Sequence, residues 1–87
     1  MKLIFCPDCH DVFKLSKKVR TCECGKCKGK YIDNLYAIYD NGIPLGFDNT
    51  SLGTAVASQP VAGLGKRFEA FVIARNVKTM TKSDNID

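Results

Sequence analysis

Five cysteines stand near the start of the chain. Cys6 and Cys9 flank Pro7-Asp8, and Cys22, Cys24 and Cys27 crowd into the stretch Cys22-Glu-Cys-Gly-Lys-Cys27. Two residues between cysteines form a tight turn that aims both sulfurs at one ion, while backbone N–H groups bond back to the thiolates. Cys6-x2-Cys9 and Cys24-x2-Cys27 are separated by fourteen residues, 10 to 23, one short of the roughly 15–20 of the common four-cysteine zinc pattern. The expected ligands are therefore Cys6, Cys9, Cys24 and Cys27, with Cys22 as the alternative fourth ligand through Cys22-x-Cys24. Pro7 presets φ in the first turn, and Gly25 and Gly29 supply conformational freedom around the second. The fifth cysteine is expected to be a small apolar filler or a half-exposed thiol. His10, next to Cys9, is expected at the surface.

The chemistry such a site offers is structural. Four thiolates close the coordination sphere, whereas a catalytic zinc keeps one position open for water or substrate. His10 is the sole histidine of the chain, which leaves no Ser–His–Asp set and no His-Glu-x-x-His site. The carboxylates are scattered, and no catalytic residues are expected. Gly63-Leu-Gly65-Lys66 fails as a phosphate loop because Pro60 stands where the first glycine is required and no Ser or Thr follows Lys66.

With 87 residues the chain makes one domain whose apolar core alone gives a thin margin of stability. The odd cysteine count argues against a complete disulfide framework. The apolar run Met1–Phe5 meets Cys6 and Pro7 at once, too short for a secretory segment or a membrane span. A cytoplasmic protein with one structural Zn2+ per chain and no membrane partner is the expectation. The net charge of +4 is uneven: residues 1–30 hold eight Lys/Arg against three acids, and residues 31–60 hold three acids and no Lys/Arg. Four thiolates and a divalent ion reduce the first third to about +3, a basic face but a modest one.

The elements that must position the cysteines read as α+β. Lys2–Phe5 is a short strand entering the first knuckle, and Val12–Leu15 a return strand or the first turn of a helix. Val19–Glu23 is a strand entering the second knuckle, so residues 1–30 follow strand–knuckle–strand order. Two β-forming runs flank Asp40-Asn41-Gly42, the strongest short hairpin signal. Pro44 places the second arm at a sheet edge or makes it leave the sheet early. Asn49-Thr50-Ser51 caps a helix with Leu52, Val56 and Gln59 on one face, ended by Pro60. Val61–Gly65 is a loop, and Phe68–Ala74 a closing strand buried on at least one face. One domain over 1–78 with a shared core, and a flexible tail over 79–87, is the expected organisation.

Cys6-Pro-Asp-Cys9 … Cys24-Gly-Lys-Cys27 resembles the zinc-ribbon superfamily over about a third of the chain, and the resemblance implies a structural zinc held by four thiolates. The remainder, with "KYIDNLYAIYDNGIPLGF" and "FEAFVIARN", looks like small uncharacterised bacterial and phage proteins with an N-terminal ribbon, and no activity follows from that likeness. Leu3–Cys9 is also similar to the strand and CPxC opening of glutaredoxins, which implies a thiol–disulfide oxidoreductase using Cys6 as the attacking thiolate. Zinc ligation precludes that role, and the glycines and cysteines of residues 21–30 do not suit the helix and strand a glutaredoxin has there.

Binding is the expected function. One form is a protein–protein interaction or adaptor module using the apolar stretch Ile43–Phe47 and the loop at Gly63–Gly65. The alternative is nucleic-acid binding through Lys17, Lys18, Arg20, Lys26, Lys28 and Lys30, with Phe5, Phe13 and Tyr31 nearby.

Overall fold

The structure, a computed structural model, describes residues 1–84 and residue 86. Among the described residues, two four-stranded sheets and one short helix make an α+β fold. Strand β1 (Lys2–Phe5) pairs antiparallel with β2 (Val12–Lys14) on one side and with β6 (Ile43–Phe47) on the other. Strand β7 (Ala70–Val72) completes that sheet in the order β2-β1-β6-β7. In the second sheet β3 (Arg20–Thr21), β4 (Lys28–Tyr31) and β5 (Ala37–Asp40) are antiparallel neighbours, and β8 (Met80–Lys82) runs parallel to β5. Among the described residues no helix is long and apolar enough to cross a membrane.

The core lies where the sheets meet around the first-third residues. Ile4, Phe13 and Leu15 of the first sheet's hairpin and Ala37, Tyr39 and Met80 of the second enclose Cys6, Cys22 and Cys27. Gly29 makes the close approach: a Cβ there would lie 2.7 Å from Leu15 Cδ2 and 3.3 Å from the Ile38 carbonyl oxygen. Its neighbours Lys28 and Lys30 point to the other face, as alternation along a strand requires.

Asn41 and Gly42 adopt the positive φ expected of the turn, +63° and +92°, yet the arms they join do not form a hairpin. The chain leaves the second sheet at Asp40 and enters the first at Ile43, so the turn links sheets instead of closing a ladder. Packing decides this: a Cβ on Gly42 would meet Ile4 Cγ2 at 2.6 Å, Cys27 Sγ at 3.1 Å and the Phe5 carbonyl oxygen at 3.1 Å. Gly42 is pressed against the core, while Asn41 beside it stays exposed. Gly42→Ala combines a left-handed backbone with overpacking, and a loss of about 2–4 kcal/mol is expected, measurable as a lowered urea midpoint with unchanged slope.

Pro44 stands in an interior strand, contrary to the edge placement its missing N–H suggests. The Phe47 N–H bonds to the Met1 carbonyl, so alternation makes Leu3/Leu45 and Phe5/Ile43 the bonded pairs and leaves Pro44 at a non-bonded pair opposite Ile4. On the other side the Ile73 N–H bonds to the Pro44 carbonyl at 2.9 Å, just beyond the last rung of β7. The sheet therefore forgoes one bond at the end of a ladder, where the loss is smallest.

The helix α1 (Asn49–Ala57) is capped by Asp48, whose carboxylate accepts the Thr50 N–H at 3.2 Å, one residue before the expected cap. Its buried residue is Ala55, and Val56 is exposed, so the expected Leu52/Val56/Gln59 face does not pack inward. The closing strand also differs: Ala70, Phe71 and Val72 are all exposed. Residues 79–87, expected as a flexible tail, instead supply β8, with Met80 buried. Of the apolar content that sequence placed in Phe68–Ala74, Phe68, Phe71 and Val72 lie outside and Ile73 packs partly buried against the core, while Met80 and Ile86 lie inside. Residues 85 and 87 of the expected tail fall outside the described residues.

Candidate metal centre

Each knuckle is a loop closed by the same backbone bond. In the first, β1 delivers Cys6 and β2 leads away; the Cys6 N–H donates to the Asp11 carbonyl at 2.9 Å and the His10 N–H to the Cys6 carbonyl at 2.8 Å. His10 takes φ +61° to allow it. In the second, the Cys22 N–H donates to the Cys27 carbonyl at 3.0 Å and the Gly25 N–H to the Cys22 carbonyl at 3.1 Å, with Gly25 at φ +81°. A bond from residue i to residue i+5 thus closes both loops. Cys22 occupies the position of Cys6, and Cys27 the position of Asp11.

The thiols follow that correspondence. The sulfurs of Cys6, Cys9, Cys22 and Cys24 all lie within 4.8 Å of one another. Cys6 Sγ is 3.7 Å and Cys22 Sγ 3.4 Å from Cys24 Sγ. Four thiolates at about 2.3 Å from a tetrahedral ion have edges of about 3.8 Å, so the cluster matches the size of a metal–sulfur tetrahedron. Backbone N–H groups face the two inner sulfurs: Cys9 N–H to Cys6 Sγ at 3.5 Å and Cys27 N–H to Cys22 Sγ at 3.4 Å. Such bonds stabilise thiolates, the form a metal requires. The Glu23 N–H, bonded to the Asp11 carboxylate at 3.0 Å, ties the second knuckle to the first.

The spacing argument favoured Cys24 and Cys27 as the second pair. The structure gathers Cys6, Cys9 and Cys24 as expected but brings in Cys22, the alternative. Cys27 is fully buried in the core cluster, donates its backbone N–H to the Cys22 thiol, and keeps its own thiol protonated, since burial and the neighbouring Cys6 and Cys22 thiols push it up to about 12. It takes the apolar filler role foreseen for the spare cysteine. Counting residues between cysteines could not find this, because the Gly25 N–H bond to the Cys22 carbonyl closes a turn that brings Cys24 back beside Cys22 with one residue fewer. His10 is exposed and stacks on Phe5, with ring centroids 5.8 Å apart.

Without a cation the thiols cannot all ionise together. Burial raises Cys22, but the Cys27 amide and the Cys24, Cys6 and Cys9 thiols outweigh it and hold Cys22 at about 6. For Cys24 the Lys26 amide works downward, yet the Cys22 thiol, burial and the other thiols prevail and push it up to about 12. An entering ion must therefore displace at least the Cys24 proton at neutral pH. Apparent metal affinity is expected to fall at least about tenfold for each unit of acidification, measurable by competition against a chelator of known pH dependence.

The basic residues are dispersed. Lys17 and Lys18 lie on the turn after β2, Arg20 on β3, and Lys28 and Lys30 on one face of β4. Lys28 is directly opposite Asp40, a favourable cross-strand pair, and Lys26 lies 3.5 Å from Asp8. The CPxC segment runs into β2, whereas a redox CPxC gains its reactive thiolate at a helix N-terminus.

No protein-family model matches this chain, and no curated protein or solved structure matches it either. On the chain's own geometry, four cysteines form a site that could bind a metal ion.

Proposed function

We propose that the chain is a zinc-stabilised binding module that acts in the cytoplasm as an adaptor for another protein. Zinc suits the site because four cysteine sulfurs gathered within 4.8 Å of one another are the ligand set of a structural ion. With no position left for water or substrate, binding is favoured over catalysis. The zinc-ribbon resemblance of the knuckles supports the same reading.

The observation that carries the adaptor role is an unbroken exposed run over residues 56–72. Val56, Val61, Leu64 and Phe68 are all exposed within it. Leu52, Val56, Val61 and Phe68 line an open groove of about 490 Å³ between α1 and the following loop. A contiguous apolar surface on a small domain marks a binding site. The stretch Ile43–Phe47 offers less than expected, because it forms an interior strand in which Pro44 and Gly46 are buried.

The test is affinity purification of the zinc-loaded chain under native conditions, beside Val61→Asp and Leu64→Asp. The expected result is a stoichiometric protein companion that both variants lose while keeping their zinc. Salt-sensitive binding to single-stranded oligonucleotides, abolished by Lys28→Glu with Lys30→Glu and untouched by Val61→Asp and Leu64→Asp, would replace this reading with the nucleic-acid one.

A further inference from the structure

We infer that two copies of the chain join through β7, antiparallel across a two-fold axis at Val72, so that their four-stranded sheets run on as one. This goes beyond the adaptor reading and does not depend on it.

Four strands stand at sheet edges: β2, β3, β7 and β8. Three carry a cation that guards the edge against pairing, namely Lys14, Arg20 and Lys82. The fourth does not. Ala70-Phe-Val-Ile-Ala74 is apolar throughout and contains no proline, and Ala70–Val72 are exposed.

The backbone sets which groups are on offer. The Asp48 N–H bonds to the Glu69 carbonyl and the Ile73 N–H to the Pro44 carbonyl, both at 2.9 Å. The odd-numbered residues of this segment therefore bond inward to β6, and Ala70, Val72 and Ala74 turn their N–H and C=O groups outward. A two-fold axis at Val72 makes Val72 face Val72, and Ala70 face Ala74 of the second copy, as bonded pairs. All three outward-facing residues then gain partners.

Charge selects this register over its neighbours. Centred on Val72, the pairing sets Glu69 against Arg75 of the second copy, twice by symmetry, with Phe71 opposite Ile73 between them. Centred on Phe71, it sets Arg67 against Arg75, a like-charge clash. Centred on Ile73, it sets Phe71 against Arg75 and leaves Glu69 without a cation. Opposite charges across a strand pair stabilise it and like charges oppose it. Such a symmetric contact is self-complementary, as a closed dimer requires.

The experiment is sedimentation analysis of the zinc-loaded full chain over a concentration series. Glu69→Arg and the double variant Glu69→Arg with Arg75→Glu are run beside it. The expected result is a reversible dimer, weakened about tenfold or more by Glu69→Arg and restored by the double variant. Val72→Pro removes an N–H that alternation along β7 turns away from β6, and is expected to give a monomer with its zinc retained. A chain that stays monomeric at millimolar concentration overturns the inference, as does a dimer indifferent to both the charge reversal and Val72→Pro. Loss of dimer without recovery in the double variant overturns the register. None of these outcomes bears on whether a different protein occupies the groove beside α1.

Discussion

Stripping the metal is expected to unfold the protein. A strong chelator should collapse the dispersed amide NMR spectrum to that of a disordered chain, and added zinc should restore it. Structural zinc contributes an apparent ~10–16 kcal/mol in small peptides, while a whole domain is stable by only ~5–15 kcal/mol. The location of the site makes the dependence direct: Cys6 and Cys22 belong to the same buried cluster as Ile4, Leu15, Tyr39 and Met80. The two knuckles also hold the ends of β1, β2, β3 and β4, so an ion between them fixes one sheet against the other. A spectrum that stays dispersed in chelator, with the metal shown to be gone, would mean that the core suffices alone.

The second large effect separates two buried cysteines that sequence alone cannot rank. Cys22→Ser is expected to lose stoichiometric zinc and with it the fold, because it removes the buried sulfur that the Cys27 N–H holds, where water cannot stand in for it. Cys27→Ala is expected to keep one zinc per chain and lose only about 1–2 kcal/mol for the small cavity it leaves. Metal content per chain and a denaturant midpoint on each purified variant decide the matter. The reverse pattern would return the fourth ligand to Cys27. Cys24→Ser, at the exposed corner of the cluster, is expected to retain zinc more weakly than the wild type and to release it at a higher pH.

The first half of the chain was legible because local rules and packing agree there. Lys2–Phe5 became β1, Val12–Lys14 the return strand, and Arg20–Thr21 part of the predicted strand into the second knuckle. Asn41-Gly42 made the turn its residues demand, yet no rule of turn chemistry says which strand each arm will join. That choice was made by Ile4 and Cys27, which press on Gly42 from a different part of the chain. The second half misled for a related reason. Phe, Val and Ile in Phe68–Ala74 suggest a buried strand, yet only Ile73 of them packs against the core, and Met80 enters it from a polar segment; only the tertiary arrangement decides which pieces have a core to enter. At the site, the type of chemistry was readable from five cysteines in two clusters. The identity of the fourth sulfur was not, because it depends on the backbone path at Gly25 and on a hydrogen bond that closes both knuckles alike.

Native mass spectrometry of the chain purified without added metal tests the proposed zinc centre most directly. One zinc ion per chain, with all five cysteines free of disulfides, is the expected result. A metal-free chain carrying a Cys6–Cys9 disulfide would contradict it, and would make the CPxC segment a redox pair instead of half a metal site.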